Sequence, residues 1–170
     1  MEEYPNWQQL VVPQKNPAGC IPWCYEMMLR AITAEGIQFE SFQDEFDLNN
    51  IQKAPVANFM NVAQAVESKY SGVKFRVREF AESDGPQKLA FIEKCFHAGR
   101  LVALSLALHR LMNYPNWHTM VVIGLDANDI MLLHSVRAAG PLRWTLSRTM
   151  VEEVHRVDPG GKDVACLLTY

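Results

Sequence analysis

Cys20 and His118 are the residues of this 170-residue chain whose types and settings fit nucleophilic catalysis. Cys20 follows the chain-breaking Pro17-Ala18-Gly19 and precedes Ile21-Pro22-Trp23. Pro22 suits a first helical turn, where its missing N–H is not needed. A thiol at a helix N-terminus meets unpaired backbone N–H groups and the positive end of the dipole, and both favour thiolate. The same N–H groups can stabilise the oxyanion formed when a thiolate attacks a carbonyl. Gln14, six residues upstream, can add its side-chain amide to that hole. The plain alternative is an ordinary buried helix cysteine, with Gln14 a surface polar residue.

A nucleophilic cysteine needs a base. Of the five histidines, His97 and His109 flank a helix end and a strand end, and His155 lies in the charged run Glu152-Glu153-Val154-His155-Arg156. All three read as solvated. His118 opens Trp117-His118-Thr119-Met120-Val121-Val122-Ile123-Gly124, a strand that turns wholly apolar. A titratable side chain at the mouth of a core strand is held rigidly. The alternative is a satisfied core histidine.

The elements around these residues follow from hydrophobic period. Residues 1–13 look extended. Helical spacing covers Cys20–Ile32, ended by Gly36, then 57–69, 86–98 and Ser147–Arg156, with Ser147 as an N-cap candidate. Strands are expected at 73–80, 101–108, 117–125, 130–136, 143–145 and 164–170. Asp126-Ala127-Asn128-Asp129 reads as a hairpin turn. Helices first and consecutive strands after favour an α+β class, with N-terminal helices packed on a mostly antiparallel sheet in a single domain over 1–170.

Hydrophobic residues make up 49% and charged residues 21% of the chain, and the formal net charge is −3. No basic stripe with interleaved aromatics is present, so no nucleic acid partner is expected. The acidic start Met1-Glu2-Glu3 is unlike a signal peptide. No apolar run approaches the roughly 18 residues that span a bilayer, so no membrane association is expected. These features predict a cytoplasmic protein whose Cys20, Cys24, Cys95 and Cys166 are thiols. No metal-ligand spacing and no glycine-rich phosphate loop occur, so neither metal nor cofactor is expected.

Gln14, Cys20, Pro22 and Cys24 form Q-x5-C-x-P-x-C leading into an apolar helix, and His118 opens H-x-x-V-V-x-G-x-D, ending at Gly124 and Asp126. The helix Phe91–Ala98, Gly99-Arg100 and the strand Leu101–Leu108 stand just before it. This ordered set resembles the papain-like cysteine peptidases, most closely the C39-like, bacteriocin-leader-type family, over residues 8–137. The resemblance implies a papain-like fold and a peptide or amide substrate. It implies Cys20 as nucleophile, His118 as general base and acid, Gln14 as oxyanion-hole donor and Cys24 as packing.

The chain departs from that family at the third catalytic position, where an Asp or Asn usually precedes Pro. Counting along the hairpin, that place falls on His134, followed by Ser135. The chain's Asp158-Pro159 lies too far along, and Asp126 is set aside because its turn exposes it. Neutral His134 can accept a hydrogen bond and orient His118, but offers no negative charge. Once protonated near pH 6 it would oppose an imidazolium at His118, so activity should fall toward pH 6. The rival reading makes His134 a packed strand residue in a site that has lost or changed catalysis.

Three functions follow: a cysteine hydrolase working through a thioester, an acyl or amide transferase on the same scaffold, and a non-catalytic peptide-binding module. The last would use a groove near Tyr114, Trp117 and Trp144. Gly160-Gly161, beside Asp158-Pro159, reads as a turn and not as a leader cleavage site.

Overall fold

The run from Thr119 to Leu125 lacks the polar alternation of a half-exposed strand, so it needs cover on both faces. The computed structural model supplies that cover. It describes residues 1–17, 19–32, 35–47, 55–106, 118–135, 142–153, 156–157 and 163–170. His109, Tyr114, Trp117, His155, Asp158, Pro159, Gly160 and Gly161 lie outside the described residues.

The chain begins with β1 (Glu2–Glu3) and α1 (Trp7–Leu10), followed by α2 (Cys20–Ala31), α3 (Phe39–Glu45) and α4 (Pro55–Lys69). β2 (Arg76–Ala81), α5 (Gly85–His97), β3 (Val102–Leu106), β4 (His118–Leu125) and β5 (Asp129–His134) come next. β6 (Leu142–Ser147), α6 (Arg148–Glu153), β7 (Arg156–Val157) and β8 (Asp163–Thr169) complete the described elements. The main strand order is β2-β8-β3-β4-β5-β6, and every described pairing is antiparallel. The α+β class and antiparallel sheet are therefore as the sequence predicts.

Helices cover both faces rather than one. Val121, Ile123, Leu133 and Ala103 pack with α2, α3 and α4 in one apolar cluster. Met120, Val122, Leu132 and Leu104 pack with α5 and α6 in the other. All eight residues of β4 are buried in consequence. The β4–β5 turn closes as expected, with Asp126 Oδ1 accepting the N–H groups of Asn128 and Asp129, both at 2.9 Å. Ser147 Oγ accepts the Met150 N–H at 3.2 Å, which is the predicted cap.

Three elements differ from the sequence expectation. The last helix ends at Glu153, and Arg156, expected at its end, lies in β7. Residues 7–10 are helical rather than extended, and α3 was not anticipated although Phe39, Phe42 and Phe46 have helical spacing. Phe42 and Phe46 are buried against the first cluster, with ring centroids 4.7 Å apart. Among the described residues, no helix is long and apolar enough to cross a membrane.

The segment leading to Cys20 is tied to α2 by Trp23, whose Nε1 donates to the Val12 carbonyl at 2.6 Å. Trp23 is fully buried. Trp23→Phe removes that donor and leaves the carbonyl unpaired, so it should lower unfolding free energy by about 1–3 kcal/mol in urea titration. An unchanged midpoint would show that the bond contributes nothing.

Candidate active site

Gly19 precedes α2 because the turn before it is tight. Its N–H donates to the Asn16 carbonyl at 2.9 Å, and an added Cβ would lie 3.0 Å from that same oxygen. Cys20 then starts the helix with 7% of its surface exposed. Burial raises the thiol's pKa above its ordinary value. Thr119 and the backbone at Ile21 and Cys20 favour thiolate, as a helix start should, but desolvation outweighs them. This corrects the thiolate expected from position alone. Cys24, one turn on, is fully buried in the first cluster and its pKa is pushed higher still, chiefly by burial.

Successive strand residues point to opposite faces. Thr119 therefore shares the α2 face with Val121 and Ile123, beside Cys20. His118 leaves β4 on the face of Met120 and Val122. Thr119 stands in register with Ser105 of β3, and both residues are completely buried. Neither hydroxyl makes a hydrogen bond of ordinary geometry among the described residues.

Gln14 is buried rather than a surface residue. Its Nε2 donates to the carbonyls of Asn16 at 2.6 Å and Pro17 at 3.2 Å. Its Oε1 accepts a short hydrogen bond from the Ser135 hydroxyl. Ser135 Oγ also stands 3.5 Å from His118 Nε2. The structure thus brings Gln14, Ser135 and His118 into one contact series. Both amide hydrogens of Gln14 are engaged by its own loop, so binding an oxyanion requires releasing one.

His134 faces His118 with ring centroids 4.2 Å apart and planes 36° apart. An N–H···N bond of ordinary length would separate the centroids by about 5 Å, so the two imidazoles meet as stacked rings. Trp144 closes the far side of His134, with centroids at 4.2 Å and 64°. His134 is thus packed between the rings of His118 and Trp144. Burial and the neighbouring His134 push the His118 pKa down to about 3, against the opposing pull of the Ser135 backbone. Burial also lowers that of His134. The His118 ring is therefore neutral at pH 6, and burial works against the charge on His134 that the sequence suggested. Asp126 is half-buried at the start of the β4–β5 turn, and its pKa is lowered chiefly by the Asn128 and Asp129 N–H groups it binds.

No family model matches the sequence, and no curated protein matches it. Among solved structures, the peptidase domain of Streptococcus ComA, a bifunctional ABC transporter involved in quorum sensing, superposes with a TM-score of 0.52. The match covers 93% of this chain and 96% of that domain at 13% identity. The fold is papain-like. The Pseudomonas avirulence protein AvrPphB matches over 97% of this chain and 98% of its own at 13% identity, but its TM-score of 0.38 bears no weight. In the papain-like frame, Thr119 and Ser135 are the neighbours that sequence reasoning passed over. Each carries a hydroxyl directly after a histidine singled out for chemistry, which was their one signal.

The depressed imidazoles link stability to pH. An unfolded chain takes up a proton at His118 near pH 6.5, whereas the folded chain does so only near 3. That contribution is complete above pH 6.5 and is lost as pH falls toward 3, an effect on the order of a few kcal/mol. Urea unfolding at pH 7, 5.5 and 4 should show this decline, and His118→Gln should make it shallower. An equal slope in wild type and variant would place the proton uptake elsewhere.

Proposed function

We propose that this chain is a single-domain cysteine peptidase or amide hydrolase of the C39-like kind, with Cys20 as nucleophile and His118 as base and acid. The observation that carries the reading is the contact series that runs from Gln14, in the loop before α2, through Ser135 to His118 at the start of β4, on a papain-like fold. In the proposed reaction His118 takes the thiol proton while sulfur bonds the carbonyl carbon, whose π electrons move to oxygen. Collapse of that oxyanion breaks the C–N bond, and His118 returns the proton to the departing amine. The resulting thioester is then hydrolysed by water activated at the same imidazole.

The charge states fit a neutral resting pair. Burial keeps the thiol protonated and the imidazole unprotonated, so proton transfer accompanies attack instead of preceding it. The same observation favours a second reading, a peptide-binding module that never makes the transfer.

A peptide carrying an electrophilic ketone separates the two. The catalytic reading expects stoichiometric labelling of Cys20, about tenfold or more faster than Cys24, and loss of labelling in His118→Ala. Labelling no faster than at Cys24, or unchanged in His118→Ala, would contradict it. Unimpaired peptide binding by Cys20→Ala without turnover by wild type would then establish the binding module.

A further inference from the structure

Gln43 stands outside the contact series just described, yet its amide is buried, with both hydrogens and the carbonyl oxygen bonded. Its Oε1 accepts the Lys15 N–H at 2.9 Å. Its Nε2 donates to the Pro13 carbonyl at 2.9 Å and to Glu26 Oε2 at 2.8 Å. The amide orientation is fixed chemically, because Pro13 offers only a carbonyl and the Lys15 N–H needs an acceptor. The two backbone partners are the residues on either side of Gln14. The third belongs to α2, the helix that Cys20 begins. Glu26 is itself buried and held by Arg30, with Oε1 2.8 Å from one guanidinium nitrogen.

We propose that Gln43 is the positioning residue that fixes Gln14 relative to Cys20. This rests on the peptidase reading and extends it to α3. One planar amide bonds the backbone before and after Gln14 and locks that backbone to the nucleophile's helix. Three neighbouring contacts hold the same loop to α3: Asn16 Nδ2 donates to Asp44 Oδ1 at 3.3 Å, and Lys15 Nζ reaches the Glu40 carbonyl and, at 3.4 Å, Asp44 Oδ2. With the loop held, the Gln14 side chain sits where one amide hydrogen can turn from a loop carbonyl to a developing oxyanion. The Gln43 side chain contacts backbone and Glu26 in this arrangement, so its effect reaches the reaction only through Gln14.

Two probes separate positioning from general structural support. A peptidyl aldehyde adds to Cys20 with formation of a C–S bond. The carbonyl π pair becomes an oxyanion while His118 takes the thiol proton, so the aldehyde's affinity reads the oxyanion hole. Iodoacetamide alkylation of Cys20 reads only thiol reactivity. Gln43→Leu should weaken aldehyde binding about tenfold or more, part of the 10²–10³-fold that loss of an oxyanion donor costs. It should leave the alkylation rate within about twofold, and the double variant with Gln14→Ala should bind no worse than Gln14→Ala alone. Equal losses in both probes, or additive losses in the double variant, would overturn the inference. An inert wild type would overturn the peptidase reading itself and the positioning role with it. Hydrogen exchange in the wild type supplies a test that needs no variant to fold. The Lys15 amide should be protected by its bond to Gln43, and free exchange there would show that the clamp is open in solution.

Discussion

Everything at this site depends on polar groups buried where a sheet is covered on both faces. β4 and β5 end under helices from both layers, so His118, His134, Thr119 and Ser135 are taken out of water together with Cys20. Burial of a titratable group favours its neutral form unless an opposite charge compensates. A carboxylate at position 134 would have supplied that charge. The imidazole that stands there supplies a stacked ring, and the His118 pKa falls accordingly. The helix N-terminus acts on Cys20 in the direction expected of it and is outweighed by desolvation. One constraint, dry cover on both faces, thus sets the charge of Cys20 and of His118 alike.

Hydrogen bonds that converge on the loop before α2 supply the geometry. Trp23 holds the chain at Val12, Gln43 at Pro13 and Lys15, and Ser135 meets the side chain of Gln14. A loop would otherwise place Gln14 poorly, because loops are more variable than the elements they connect. Here it is tied to α2, α3 and the end of β5. The apolar burial of Phe42 and Phe46 does more than stabilise α3. It anchors the helix from which Gln43 reaches back to the loop.

Much of the frame was legible in the sequence. The helix at Cys20, the strand at His118 and the hairpin to His134 each carried a clear period or turn signal, and all three stand where expected. α3 escaped although Phe39, Phe42 and Phe46 mark its buried stripe, because seven residues make a short window for a 3.6-residue period. The double cover of β4 was implicit in its unbroken apolar run, but which helices lie on which face is set by chain crossings far apart in sequence. Charge was the least legible property. A position at a helix start or strand mouth indicates the local field, whereas the depth of burial depends on packing from distant segments. Ser135 and Gln43 were hidden for a related reason: each meets its partner across long sequence separations, 121 residues between Ser135 and Gln14 and 28 between Gln43 and Lys15.

The charge of the His118 imidazole in the free protein is the most direct test of this account. Nitrogen chemical shifts of the ring, followed by NMR from pH 8 to pH 4, report its protonation without substrate. The account predicts a neutral ring throughout that range, with titration only at lower pH. A midpoint near the ordinary histidine value of about 6.5, or an imidazolium already present at pH 8, would show that burial does not govern the site and would contradict the neutral resting pair.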